Sequence, residues 1–209
     1  DESTLSGWQQ NGGNWYYYED NSAVTDWKNI SGTWYYFDGS GVMSTNWEKV
    51  NGTWYYFNTD GAMRTSWQKV SGAWYYMDNS GAMQTDWKEI SNAWYYFNAE
   101  GQMVKNAWAG NYWLEADGKM ATNKWVDNNR YYVGNDGAWI KGYGNKSGWQ
   151  KEGGSWYYYK NGSAVRNAWA GNYWLGSDGR MVTNRYVDGG RYYVGNDGAW
   201  VPSLPPISD

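Results

Sequence analysis

The side chains that could do chemistry in this sequence are aromatic rings, and they recur at a fixed spacing. The chain has 209 residues, of which 19 are Trp, 22 are Tyr and 7 are Met. Two tryptophans and a methionine repeat at intervals of 20 residues: Trp27, Trp47, Trp67 and Trp87, then Trp34, Trp54, Trp74 and Trp94, with Met43, Met63, Met83 and Met103. Such clusters suit a quaternary ammonium ion, because it cannot donate a hydrogen bond and is held by cation–π attraction to ring faces.

The repetition of the cluster predicts how such a cation is bound. Three rings and a thioether form a weak site, because each ring contributes about 0.5–2 kcal/mol. We expect a millimolar dissociation constant. Several weak sites on one rigid scaffold gain orders of magnitude toward a polymer that repeats the ligand, because the later binding events are intramolecular.

The same composition excludes most other chemistry. The chain has no His and no Cys, so it lacks the usual acid–base residue, thiol nucleophiles and disulfides. Its Asp-Gly turns lack the further carboxylates of a calcium loop, and its Asp and Glu residues show no recurring pair for glycoside hydrolysis. A net charge of −4 argues against nucleic acid, and no apolar run approaches the ~20 residues of a membrane span. We expect no enzyme, no metal site and no cofactor.

The elements that position the rings are predicted to be β-hairpins. The run WYYF consists of strong strand formers and is followed by a four-residue connection that ends in Gly, as in 38–41, 58–61, 78–81 and 98–101. We expect a return strand of the type A-M-x-T after each connection, and then a polar loop that carries the next Trp. No segment shows a helical period, and a single hairpin is marginal in water. The prediction is an all-β fold, a β-solenoid of about ten stacked hairpins.

Ten units can be recognised, and the later ones are degenerate. They start near residues 8, 27, 47, 67, 87, 108, 125, 149, 169 and 186. The block 87–139 recurs as 149–200, with NAWAGNYWL and RYYVGNDGAW present in both copies. This duplication predicts a repeat solenoid over 1–140, a second repeat block over 141–201 and an extended tail over 202–209.

The two tyrosines of each WYYF run are expected to have different roles. Side chains alternate across a strand, so the first and third positions share a face and the second position faces away. The second position is Tyr in every unit, which predicts a fixed stacking role between hairpins. The third position is Tyr or Trp, so it requires a ring but tolerates its identity, and we expect this position to face the ligand.

The sequence GWQQNGGNWYYY and the units after it, such as WKNISGTWYYFDGSGVMSTNW, resemble the choline-binding (cell-wall-binding) repeats of pneumococcal surface proteins and related lysins. The resemblance covers 7–200 and is most specific over 7–105. It implies a non-catalytic module of a secreted protein attached to the bacterial cell surface, with adhesin function as an added role. The ligand would be choline, presented as phosphocholine on teichoic and lipoteichoic acids. It would lie between successive units, with two Trp from one unit and an aromatic ring and Met from the next.

Six cages follow from this resemblance. Their residues are Trp8, Trp15, Tyr36 and Met43; Trp27, Trp34, Tyr56 and Met63; Trp47, Trp54, Tyr76 and Met83; Trp67, Trp74, Tyr96 and Met103; Trp87, Trp94, Trp113 and Met120; and Trp149, Trp156, Trp174 and Met181. In the degenerate units the strand Trp is replaced by Asn111, Arg130, Asn172 and Arg191. We expect Arg130 to stack on Trp125, and Arg191 on Tyr186, which would fill those cages and leave the surface free for a host or other surface partner.

Two alternative functions remain open at this point. Glucan-binding repeats are built from similar YYF hairpins, and stacking on sugar rings would use the same aromatic residues. The chain could also be the wall-binding part of a cell-wall hydrolase. Elution from a choline resin by choline, and not by dextran, would distinguish choline binding from glucan binding.

Overall fold

The computed structural model describes residues 3–207 and shows an all-β chain. No helix occurs in that range, and accordingly none is long and apolar enough to cross a membrane. The chain divides into two compact units, with the boundary between Trp139 and Ile140. Residues 1–2 and 208–209, including the end of the predicted tail, lie outside the described part of the chain.

The strands form ten antiparallel hairpins over residues 3–207. The first unit contains β1 (Gly7–Asn11), β2 (Asn14–Glu19), β3 (Ser22–Ala23), β4 (Asp26–Ile30), β5 (Thr33–Phe37), β6 (Asn46–Val50), β7 (Thr53–Phe57), β8 (Ser66–Val70), β9 (Ala73–Met77), β10 (Asp86–Ile90), β11 (Ala93–Phe97), β12 (Ala107–Ala109), β13 (Tyr112–Leu114), β14 (Lys124–Val126) and β15 (Tyr131–Val133). The second contains β16 (Gly148–Glu152), β17 (Ser155–Lys160), β18 (Ser163–Ala164), β19 (Ala168–Ala170), β20 (Tyr173–Leu175), β21 (Arg185–Val187) and β22 (Tyr192–Val194). Within each unit successive hairpins pack on one another, and the predicted all-β solenoid is confirmed.

The strand pairing differs from the predicted pairing. The strand before the WYYF run is the segment that carries the first Trp, and in β6 and β7 Trp47 pairs with Tyr56 and Lys49 with Trp54. A two-residue turn joins these strands, with φ of 49° at Asn51 and 84° at Gly52. Positive φ at both positions matches the right-handed twist of the strands, and Asn-Gly adopts it readily. The segment predicted as a polar loop is therefore a strand.

The predicted return strand is reduced to a single bridge. After the connection 58–61, Met63 makes an isolated bridge with Phe57. Its backbone N–H donates to the carbonyl of Trp34 in the preceding hairpin, at 2.9 Å. Gly61 has φ of 85°, and the Met43 side chain lies where its Cβ would be. The connection therefore links each hairpin to the one before it.

The core is a column of residues from the fourth position of the WYYF run. These side chains are fully buried: Phe37, Phe57, Met77, Phe97, Leu114 and Val133 in the first unit, and Leu175 and Val194 in the second. A neighbouring indole packs on each of the three phenylalanines, and the ring centroids of Phe57 and Trp27 lie 5.7 Å apart. One fully buried side chain at this position in eight of the ten described hairpins, covered by half-exposed rings, explains how the chain folds with so few aliphatic residues.

The C-terminal residues contact the last hairpin. The Tyr186 hydroxyl donates to the carbonyl of Pro205 at 3.0 Å, and the N–H of Ile207 donates to the carbonyl of Gly190 at 3.0 Å. The end of the described chain therefore covers the last hairpin of the second unit.

Candidate functional site

Each hairpin has one face that carries two tryptophans. In β4 and β5, Trp27 pairs with Tyr36 and Asn29 pairs with Trp34, so Trp27, Trp34 and Tyr36 share a face. The ring centroids of Trp27 and Trp34 lie 6.5 Å apart, with the planes at 81°. Trp27 is half-buried, whereas Trp34 is 45% exposed. The two indoles therefore form a corner that is open to solvent on one side.

The opposite face of the next hairpin closes this corner. Tyr55, on β7, contacts Trp27 edge to face, with ring centroids 4.8 Å apart. The predicted stacking role of the second-position Tyr is confirmed, and it recurs, for example, between Tyr95 and Trp67 at 4.9 Å. An edge-to-face contact of this kind stabilises by about 0.5–1.5 kcal/mol beyond the area it buries.

The result is a pocket between neighbouring hairpins. Trp27, Trp34, Tyr55 and Met63 line a volume of about 520 Å³. Three corresponding pockets have volumes of about 440, 350 and 480 Å³. Their main walls are Trp67, Trp74, Tyr95 and Met103; Trp87, Trp94, Tyr112 and Met120; and, in the second unit, Trp149, Trp156, Tyr173 and Met181.

The two other predicted cages have the same contacts. The centroids of Trp8 and Trp15 lie 6.4 Å apart, and Trp8 contacts Tyr35 at 4.9 Å. The N–H of Met43 donates to the carbonyl of Trp15 at 2.8 Å. The ring centroid of Trp47 lies 6.4 Å from that of Trp54 and 4.8 Å from that of Tyr75. The N–H of Met83 donates to the carbonyl of Trp54 at 2.9 Å.

The structure brings together the predicted tryptophans and methionines, but not the predicted third ring. In place of Tyr36, Tyr56, Tyr76, Tyr96, Trp113 and Trp174, the rings that meet the Trp pair are Tyr35, Tyr55, Tyr75, Tyr95, Tyr112 and Tyr173. The third position shares a face with the Trp pair of its own hairpin, so it points away from the preceding pair. Tyr56 packs instead on Trp47, at 5.0 Å. The alternation of side chains along the strand is the sequence signal that could have identified the second-position Tyr as the ring facing the preceding Trp pair.

The rings of the pockets are neutral, and lysine side chains lie close to three of them. Burial, followed by the charge of Asp60, raises the pKa of Tyr35, so its phenol stays neutral at physiological pH. The ammonium groups of Lys49, Lys69 and Lys151 each lie 5.8 Å from the ring centroid of a strand tryptophan: Trp54, Trp74 and Trp156 respectively. This distance is within the range of cation–π attraction.

The degenerate units place charged groups at the corresponding tryptophan. The indole N–H of Trp108 donates to Asp127 Oδ2 at 3.3 Å, and Asp127 Oδ1 pairs with Arg130 at 3.1 Å. The second copy repeats this arrangement with Trp169, Asp188 and Arg191. The guanidinium groups of both arginines are paired with these aspartates, and their stacking on Trp125 and Tyr186 stays a prediction.

Sequence reasoning missed the aspartates of the degenerate units. Asp127 and Asp188 each precede an arginine by three residues, in DNNR and DGGR, and this spacing recurs in both copies. A carboxylate that accepts a hydrogen bond from an indole N–H and pairs with a guanidinium places polar groups beside Trp108 and Trp169.

Three family models match the chain. One choline-binding repeat model matches 24–65 and 64–108, and a second matches 102–139 and 163–200. A model described as a putative cell wall binding repeat matches 6–22 and 147–162. The comparison with curated proteins finds no match.

Solved structures of Streptococcus pneumoniae proteins are also similar to this chain. Choline binding protein F, crystallised with a peptidoglycan analogue, is 31% identical over 94% of this chain and 58% of its own, with a TM-score of 0.54. The modular autolysin LytC is 32% identical over 94% of this chain and 46% of its own, with a TM-score of 0.53. The choline-binding domain of CbpL is 36% identical over 96% of this chain and 100% of its own, with a TM-score of 0.48. The chain spans less than two thirds of the first two proteins.

Stacked hairpins with an aromatic pocket between neighbours define a cell-wall-binding repeat protein. This chain belongs to the choline-binding repeat family. The predicted resemblance is confirmed, and the family indicates association with the cell surface.

Proposed function

We propose that this chain is a non-catalytic module that anchors a secreted protein to the phosphocholine of teichoic and lipoteichoic acids. Each pocket of the Trp–Trp–Tyr–Met type would hold one choline group. The six pairs of tryptophans, with the second-position Tyr of the next hairpin and its Met, are the residues that would do so.

The observation that carries this proposal is the composition of the pocket wall. Three rings meet at 4.8–6.5 Å around a space lined also by a thioether, as at Trp27, Trp34, Tyr55 and Met63. A trimethylammonium group requires ring faces and apolar contact, and it offers no proton to an acceptor. A sugar would also require polar groups directed at its hydroxyls, and besides the rings and the thioether the described lining of this pocket offers Asn79 and Ser80 from one connection. The wall of this pocket therefore favours choline over glucan.

Repetition of the pocket supports attachment to a polymer. Weak sites at regular intervals on one chain bind a repeating ligand with high effective concentration, so avidity exceeds the affinity of one site by 10²–10⁴-fold, an order-of-magnitude estimate. Phosphocholine repeats along teichoic acids would provide such a ligand.

We further propose that the degenerate units do not hold choline and serve another surface role, such as adhesion. Asn111 stands where an intact unit has its strand tryptophan, and Asp127 engages the indole N–H of Trp108. One ring is lost and the pocket gains an ion pair. The surface these units present suits a polar partner of the host or the cell surface.

The match to LytC supports a second context for the same activity. LytC is a modular autolysin, and this chain covers 46% of it. The wall-binding part of a cell-wall hydrolase would use the same pockets in the same way, so choline binding is proposed in both contexts.

Chromatography on a choline resin tests the proposal. We expect the chain to be retained and to elute with free choline but not with dextran. Elution by dextran alone would overturn choline binding in favour of glucan. Trp34→Ala combined with Trp74→Ala removes one wall from two pockets, and we expect it to elute at a lower choline concentration than the parent chain.

A further inference from the structure

Each pocket has an edge formed by the connection of the hairpin after next. The pocket of Trp149 and Trp156 includes Asp197, and that of Trp87 and Trp94 includes Asp136. The pocket of Trp67 and Trp74 includes Asp117, whereas that of Trp27 and Trp34 includes Ser80. We call this third residue of the four-residue connection the rim residue. Pockets with the same walls thus differ in the charge at their edge.

The rim carboxylates are held in place by the backbone. Asp136 Oδ1 accepts the N–H of Ala138 at 2.9 Å, and Asp197 Oδ1 accepts the N–H of Ala199 at 2.9 Å. Both aspartates are exposed. One carboxylate oxygen is therefore engaged by the turn, and the charge remains at the mouth of the pocket.

The turn by itself does not require a charge at the rim. In the connection 78–81, Asp78 at the first position accepts the N–H groups of Ser80 and Ala82, at 2.9 and 3.0 Å. This connection closes with a neutral rim residue. Where the first position is Gly, as at 134–137 and 195–198, an acceptor is needed at the third position, and an asparagine oxygen would serve as well as a carboxylate.

A charged rim residue affects the pKa of a tyrosine that lines another pocket. Asp60 is the third residue of the connection 58–61 and so occupies the rim position for the Trp8 and Trp15 pair. After burial, the charge of Asp60 is the next cause that raises the pKa of Tyr35, the second-position ring that contacts Trp8. The carboxylate at this position therefore acts electrostatically on the cage.

We propose that the rim carboxylate sets the preference of each pocket for a cation over a neutral ligand of the same shape, an inference that rests on the proposed choline binding. Asp136 and Asp197 make their pockets the most cation-selective. Lys105 also lines the pocket of Asp117, and its charge offsets the carboxylate there. The Ser80 pocket depends on its rings and thioether alone and is the least selective of the four.

The test compares choline with its neutral analogue, in which carbon replaces the quaternary nitrogen. Asp197→Asn keeps an oxygen for the Ala199 N–H and removes the charge. In the full chain, both ligands are titrated while NMR follows the indole N–H signals of Trp149 and Trp156. We expect Asp197→Asn to bind choline about two- to fivefold more weakly than the parent chain does, because an exposed charge close to the cation is lost. We expect the affinity for the analogue to stay the same.

Asp178→Asn is the matched control. Asp178 Oδ1 accepts the N–H of Arg180 at 2.9 Å in an equivalent turn, but Asp178 lines none of the four aromatic pockets. We expect the ratio of the two affinities at Trp149 and Trp156 to equal that of the parent chain.

The reverse change transfers a rim charge to the neutral pocket. Asp78→Asn with Ser80→Asp copies the arrangement of Asn58 and Asp60, and Trp27 and Trp34 report on it. We expect the ratio of choline to analogue affinity there to rise about two- to fivefold.

The outcomes separate the two proposals. An unchanged ratio in both Asp197→Asn and the reverse variant, with choline still bound at Trp149 and Trp156, overturns the rim proposal alone. A parent chain whose indole signals do not respond to choline overturns the proposed function itself.

Discussion

The backbone N–H of Met63 donates to the carbonyl oxygen of Trp34 at 2.9 Å, and this bond joins two walls of one cage. The same bond recurs from Met103 to Trp74 at 2.7 Å, and from Met181 to Trp156 at 2.8 Å. Because it also connects consecutive hairpins, the cage and the stack of hairpins share one structural support. Binding in the cage and stability of the stack should therefore respond together.

Choline should raise the melting temperature of the chain. A ligand that binds only the folded state stabilises it by about 2.7 kcal/mol per site at a concentration of 100 times Kd. With millimolar sites, the melting temperature should climb steeply as choline increases through tens of millimolar, as followed by circular dichroism. Sodium chloride at equal concentration is the control, and a melting temperature that does not move with choline would contradict the proposed sites.

Tyr55→Leu and Tyr56→Leu should separate the two tyrosines of one strand. Tyr55 contacts Trp27 at 4.8 Å, whereas Tyr56 contacts Trp47 at 5.0 Å. Loss of the Tyr55 ring removes about 0.5–2 kcal/mol of cation–π attraction from the Trp27 and Trp34 pocket. Choline titration followed at the indole signals of these two tryptophans should show weaker binding for Tyr55→Leu and little change for Tyr56→Leu. Equal weakening in both variants would argue against the second-position assignment.

Gly61→Ala should destabilise the chain more than Gly52→Ala. Both glycines have positive φ, of 85° and 84°, so each alanine costs about 1 kcal/mol or more in backbone strain. Only at Gly61 would the new Cβ also displace a side chain, that of Met43, while the space around Gly52 is open. Urea unfolding should give a larger loss for Gly61→Ala, accompanied by weaker choline binding at Trp8 and Trp15. A loss of equal size in both variants would show that Met43 adjusts without cost.

Asp78 should contribute to stability at neutral pH and lose that contribution in acid. Burial opposes its charge, but hydrogen bonds from Ser80, Ala82 and Gln84 outweigh burial and lower the pKa of its carboxyl. A pKa below the unfolded value means that the stabilisation is present above about pH 4 and disappears as pH falls through the folded pKa. Asp78→Asn should therefore be less stable than the parent near pH 7, and the difference should shrink toward pH 2. Urea unfolding at several pH values measures this, and a difference independent of pH would refute it.

Much of the candidate cage could be predicted from residue types and spacing. The tryptophans and methionines recur every 20 residues, and the structure brings together Trp27, Trp34 and Met63 as the spacing implies. The all-β architecture was also predictable, because the runs of aromatic strand formers alternate with Gly-containing turns in unit after unit.

The pairing of the strands differs from the prediction because each unit has two possible turns. The sequence predicts the hairpin turn at the connection 58–61, although Asn51-Gly52 is also a strong two-residue hairpin signal. In the structure the first joins β6 to β7, while the second leads to the single bridge at Met63. Both segments carry turn residues, and composition alone does not decide which of them is followed by a full strand.

Which residues meet across two hairpins depends on the tertiary structure. The repeat, the ring types and the alternation along each strand can be read from the sequence alone, because these depend on neighbours in the chain. Tyr55 rather than Tyr56 closes the pocket of Trp27, and Asp127 engages Trp108, because the faces that stack are chosen by the packing of whole hairpins. The charge at a pocket edge, such as Asp197 beside Trp149, comes from a hairpin two places further along the stack, and that proximity exists only once the stack has formed.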